Sequence, residues 1–179
     1  MEIKEKEGYY LIKSKSAQLA LVYSDKPLIK DEVNLCVNYH NPDCYSVNSP
    51  GEYEVKDIFV MVFEKNGRNQ YLVSVEDINI LLIDSQVELS EQDFDSIGDV
   101  DILILKGEIE VKMDLVKFVN DLDPVIFFLQ TKTPEREKIE TLFGAPVRAV
   151  GKKYKAVAED FDIEEYKLEI FVLDEAKKE

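Results

Sequence analysis

The stretch Cys36-Val-Asn-Tyr-His40-Asn-Pro-Asp43-Cys44 holds the one histidine and both cysteines of the sequence within nine residues. Thiolate, imidazole and carboxylate all bind zinc, so a one-metal site on His40, Asp43 and Cys44, completed by Asp84, is the first chemistry to weigh. Other readings compete with it. Asn38, Asn41, Pro42, Asp43, Ser46 and Asn48 are turn formers, and Asn41-Pro42-Asp43 reads as a turn by itself. Cys36 and Cys44 around His40 would make a Cys-His nucleophilic pair only with an activated thiol. Neither cysteine has the helix N-terminus or flanking Lys or Arg that lowers a thiol pKa. Cys36 within a strand reads as a small core hydrophobe.

Asp84 closes the apolar run Ile80-Leu-Leu-Ile83, where a carboxylate is costly unless it is paired or near water. It reads either as a metal ligand or as a strand-end residue accepting backbone hydrogen bonds. Glu52 and Glu54 alternate with Tyr53 and Val55, as in a half-exposed strand, and single out no acid-base pair.

The elements that must position these residues fall into two styles. Short strands come first: 9–13, 18–23, 33–37, 58–64, 71–76 and 79–84, with Asn66-Gly67 marking a hairpin, so that the segment up to Asp84 reads as a β-meander. Helices then alternate with buried strands. Ser90 caps a helix over 91–97 that Gly98 stops, and 100–105 follows as a strand. A second helix over 112–122 puts Leu115, Val116, Val119 and Leu122 on one face before Pro124 ends it, and 125–129 is another buried strand. Thr133 and Pro134 open a third helix that stops at Gly144, and strands over 153–157 and 167–173 close the chain. The expected class is α+β, a sheet-rich core with helices outside.

The 179 residues read as one domain, 1–179, with a charged tail over 174–179 and no repeat or linker. Thirty-seven acidic against 22 basic residues give a net charge of -15, which repels a phosphate backbone and argues against nucleic acid as a partner. The acidity reads first as a source of solubility, and second as favouring a cationic protein partner. The longest apolar runs are too short to span a bilayer, and the N-terminus lacks the pattern of an export signal. The expected location is therefore cytoplasmic, with free thiols. No phosphate-binding glycine loop occurs, and Lys152-Lys-Tyr-Lys155 reads as a solvated turn.

Four stretches resemble the metallo-β-lactamase fold, most closely its small metal-dependent hydrolases of the L-ascorbate-6-phosphate lactonase-like type. They are Ser49-Pro-Gly-Glu-Tyr-Glu-Val55, Ile80-Leu-Leu-Ile-Asp84, Ile97-Gly-Asp-Val-Asp-Ile-Leu-Ile104 and Pro124-Val-Ile-Phe-Phe-Leu-Gln-Thr-Lys-Thr133. With the early hairpin the likeness runs from about residue 8 to residue 173, its specificity lying in order and spacing together. It implies a shortened αββα four-layer sandwich.

In that family a His-x-His-x-Asp-His motif and later histidines hold one or two metals that ionise water and polarise the scissile bond. Carried over by resemblance, His40 takes the first His position and Pro42 the second. Asp43 and Cys44 follow as the Asp and the final His after a one-residue deletion. Leu81 and Leu129 stand where later histidines belong, Ile83 where a glycine does, and Asp84 keeps the place of the bridging carboxylate. One histidine cannot build the site, and the two leucines are expected to extend the core into it. The reading is a catalytically degenerate, metal-free protein with a binding or assembly role, as a homo-oligomer or beside a protein partner. The alternative is a residual zinc-dependent hydrolase of a small ester, lactone or phosphoester, using His40, Asp43, Cys44 and Asp84.

Overall fold

The computed structural model describes residues 2–6, 9–13, 18–22, 33–36, 43, 45–55, 57–84, 88–107, 113–130, 136–150, 153–155 and 167–173. Two sheets face each other. The smaller contains β1 (Glu2–Lys6), β2 (Tyr9–Lys13), β3 (Gln18–Val22), β4 (Val33–Cys36), β5 (Tyr45–Ser46) and β13 (Lys153–Lys155), in the order β13-β1-β2-β3-β4-β5. The larger contains β6 (Gly51–Val55), β7 (Ile58–Lys65), β8 (Arg68–Val75), β9 (Ile78–Asp84), β10 (Ile102–Lys106), β11 (Ile126–Gln130), β12 (Val147–Val150) and β14 (Glu169–Leu173). Its order is β12-β14-β11-β10-β9-β8-β7-β6.

The antiparallel half of the larger sheet is set by two-residue turns. Asn66 and Gly67 (φ 53 and 71) close β7 onto β8, and Glu76 and Asp77 (φ 51 and 61) close β8 onto β9. Positive φ at both central residues matches the right-handed twist of the strands, which is why Asn-Gly signals a hairpin and Glu-Asp does not. The expected meander holds from β6 to β9, but β4 pairs parallel with both β3 and β5. Residues 153–155, read as a solvated turn and then a closing strand, form the edge of the smaller sheet beside β1, in a different sheet from β14. Lys152 lies outside the described residues.

Strands β9, β10, β11, β14 and β12 run parallel, and β9, β10, β11 and β14 are apolar on both faces, as a sheet covered on both sides must be. On one face Ile80, Leu82, Ile102, Ile104, Ile126 and Phe128 pack against Ile3, Tyr10, Ile12, Leu19, Leu21 and Leu35 of the smaller sheet. Tyr154 of β13 joins this inter-sheet core, 4.5 Å from the Phe171 ring and 5.3 Å from that of Phe128. On the other face Leu81, Ile83, Leu103, Leu105, Phe127 and Leu129 meet α1 (Glu91–Ile97), α2 (Met113–Leu122) and α3 (Arg136–Phe143). The helices contribute Ile97, Val119, Leu122 and Ile139 to that layer. Among the described residues the molecule is thus sheet on sheet with helices outside the larger sheet.

The helix ends follow the sequence signals. The Asp93 carboxylate accepts the Ser90 N–H and O–H at 2.7 and 2.6 Å, and Gly98 (φ 69) donates its N–H to Phe94 O at 3.0 Å. Lys65 pairs with Asp93 at 2.6 Å, fastening α1 to β7. Burial pushes the Asp93 pKa up, but the hydrogen bonds from Lys65 and Ser90 outweigh it and bring it to about 2. Thr133 and Pro134, expected to open α3, lie outside the described residues.

Candidate functional site

The carboxyl ends of β9, β10 and β11 lie side by side, in register at Asp84, Lys106 and Gln130. One register step inward stand Ile83, Leu105 and Leu129, all fully or nearly buried. The polarity therefore changes abruptly at the strand ends. In open parallel sheets such ends are where ligands and catalytic groups collect.

Asp84 is held there by its neighbours on β8. The Arg68 guanidinium donates from Nη1 to Asp84 Oδ2 at 2.6 Å, with the two side chains 46% and 31% exposed. A pair this open to water contributes on the order of 1 kcal/mol or less, so it fixes geometry more than stability. Gln70, with no exposed surface, fixes the backbone beneath the pair. Its Oε1 accepts the Asp84 N–H at 2.7 Å, and its Nε2 donates to the Arg68 carbonyl at 3.1 Å. Asn69 extends the support by donating from Nδ2 to Asn48 O at 2.7 Å, in the connection between β5 and β6. Lys106 completes the cluster. Burial lowers its pKa to about 8, and the Asp84 charge works against that shift by favouring the ammonium.

Of the expected metal ligands, Asp43 is exposed in a turn, Asp84 carries the arginine, and His40 and Cys44 lie outside the described residues. Among the described residues no three His, Cys, Asp or Glu side chains come close enough together to hold a metal ion. Leu81 and Leu129 are fully buried, but in the helix-side core. The expectation that they extend into a vacated site is thereby corrected: alternation along β9 sets Leu81 on the face opposite Ile80 and Leu82. The residue that meets Asp84 is Arg68, which sequence reasoning did not single out. Its signals were faint: three polar residues, Arg68-Asn-Gln70, after the Asn66-Gly67 turn, and a lone lysine ending the apolar run Ile102-Leu-Ile-Leu105.

Cys36 is fully buried at the end of β4 and disulfide-bonded. This reverses the expectation of free thiols and leaves Cys36 no thiolate for nucleophilic chemistry. Cys44 is the one other cysteine in the sequence. β4 pairs with β5: Leu35 is opposite Tyr45 and Cys36 opposite Ser46, and Val47 donates its N–H to Cys36 O at 3.3 Å.

At the other end of the parallel strands a second carboxylate plays a backbone role. Asp101 accepts the Asn79 N–H at 2.7 Å and returns its own N–H to Asn79 O at 3.0 Å. Burial raises its pKa, the Asn79 hydrogen bond pulls against that, and the nearby charge of Asp99 adds to the rise.

No family model matches this chain, and no curated protein sequence does. Among solved structures the chain is similar to a Thermotoga maritima protein described as a candidate Zn-dependent hydrolase of the metallo-β-lactamase superfamily. The TM-score is 0.69 at 14% identity, over 97% of this chain and 100% of that one. At this identity the likeness speaks for architecture alone, and the chain has a fold of the metallo-β-lactamase type.

Proposed function

We propose that this chain is a metal-free, catalytically degenerate protein of the metallo-β-lactamase fold, kept for a binding or assembly role. The observation that carries the reading is the 2.6 Å pair between Arg68 and Asp84. Asp84 stands where the resemblance puts a bridging metal ligand, and a guanidinium already sits on its carboxylate. A divalent ion would have to displace that arginine and would meet, one strand over in register, the ammonium of Lys106, which offers no lone pair to a metal. The donor set does not fit the group, so no hydrolytic step is derived through one. The reading includes the finer points of the resemblance: the ascorbate-phosphate-lactonase-like subgroup and the full αββα layering. It also includes a protein partner or a second copy rather than nucleic acid.

The test is thermal unfolding of the chain and of Asp84→Asn, each with and without a tenfold excess of zinc or manganese. The expected result is the same midpoint with and without metal in both proteins. A rise of several degrees in the parent chain that Asp84→Asn abolishes would overturn the reading, because a ligand that binds only the folded state must stabilise it.

A further inference from the structure

Among the described residues strand β6 ends the larger sheet and pairs with β7 alone. Its residues Gly51, Glu52 and Glu54 are exposed, whereas Tyr53 and Val55 pack against the inter-sheet core. The two glutamates share a face with β7: Glu52 is opposite Met61 and Glu54 opposite Phe59. Phe59 is, among the described residues, one of the few large hydrophobics left open, at 37%. The edge thus offers a row of main-chain donors and acceptors, two carboxylates two residues apart, and an aromatic ring one strand in. A second copy of β6 is a poor occupant. Antiparallel pairing centred on Tyr53 would set each Glu52 against a Glu54, and directly opposed like charges repel.

We propose that the free edge of β6 takes an extended segment of a partner protein as an added strand, with Lys or Arg alternating with apolar residues. Main-chain hydrogen bonds would supply the binding, and side chains on one face the choice of partner. Cations would lie beside Glu52 and Glu54, with their aliphatic stems toward Phe59, and apolar residues beside Tyr53 and Val55. The net charge of -15 draws such a segment in. The opposing account is that Glu52 and Glu54 only guard the edge against aggregation.

This inference rests on the binding role proposed above and names its partner chemistry. The experiment titrates the chain with a capped eight-residue peptide alternating Lys with Val and Thr, and reads backbone amide shifts and amide exchange. The control peptide has the same charge with proline in place of alternate residues. The expected result is shifts and slowed exchange centred on residues 51–55, with affinity at least about tenfold weaker for the proline peptide and for E52K/E54K. Equal affinity for the two peptides, shifts centred elsewhere, or no binding at millimolar peptide would overturn the inference. So would an unaltered affinity in E52K/E54K. All of these leave the metal-free reading standing, whereas a metal-dependent midpoint removes that reading without touching the edge.

Discussion

Two aspartates sit at opposite ends of neighbouring parallel strands, and the protein treats them differently. Asp101, before β10, trades hydrogen bonds with the backbone of Asn79 and is one more tie in the sheet. Asp84, at the far end of β9, faces cationic side chains, Arg68 in contact and Lys106 beside it in register. The amino ends of the strands are finished by main chain, and the carboxyl ends by charge. The difference teaches that the carboxyl ends gather charged groups at the sheet's end, with the cations that face Asp84 supplied by the chain itself.

The comparison breaks most severely if the apolar row beneath the charges is not the foundation it appears in the packing. Ile83→Ala, in the buried helix-side core directly beneath Asp84, is expected to cost about 2–5 kcal/mol in urea unfolding. A cost below about 1 kcal/mol would mean that β9 is loosely packed there. Gln70→Ala comes next. It strips partners from the Asp84 N–H and the Arg68 carbonyl, and is expected to cost about 1–3 kcal/mol. Nuclear magnetic resonance should then show the Asp84 amide exchanging faster while that of Asn79 stays protected.

Protonation separates the two ends further. Lys106 has a folded pKa of about 8 against an ordinary 10.5. The unfolded chain therefore binds more protons between those values, and stability rises with pH across the window. Lys106→Met should remove that rise and gain about 1–3 kcal/mol at pH 7, where the cost of the buried ammonium is fully present. Asp101 works in the opposite sense. Its pKa lies above the ordinary 3.8 in the folded chain, so stability falls as pH climbs from that value through the raised one, and Asp101→Asn should flatten the fall. Equal slopes in variant and parent would contradict either assignment. The smallest effect lies in the turn at the amino end of β9. Glu76 holds φ 51, a region that asparagine tolerates better, and Glu76→Asn should stabilise by about 0.5 kcal/mol.

Much of this was legible from residue patterns, because the central strands are nearly all apolar and the helix ends carry strong signals. Ser90, Gly98 and Gly144 mark helix termini by their own chemistry, and Asn66-Gly67 marks its hairpin. What escaped had weak or contrary local preference. β1, Glu-Ile-Lys-Glu-Lys, has one apolar residue and is a strand because Ile3 reaches the inter-sheet core while β2 and β13 pair with it on either side. The Glu76-Asp77 turn exists because the strands it joins demand it. At the site, the sequence led to Asp84 but not to Arg68, since a contact between residues 16 apart depends on the register of β8 on β9.

The central claim is that Asp84 answers to Arg68 and not to a metal. Elemental analysis of the full chain, purified without chelator and desalted after exposure to excess zinc, manganese and iron, tests it most directly. The account predicts less than about 0.1 metal ion per chain, and about one tightly held ion per chain would contradict it.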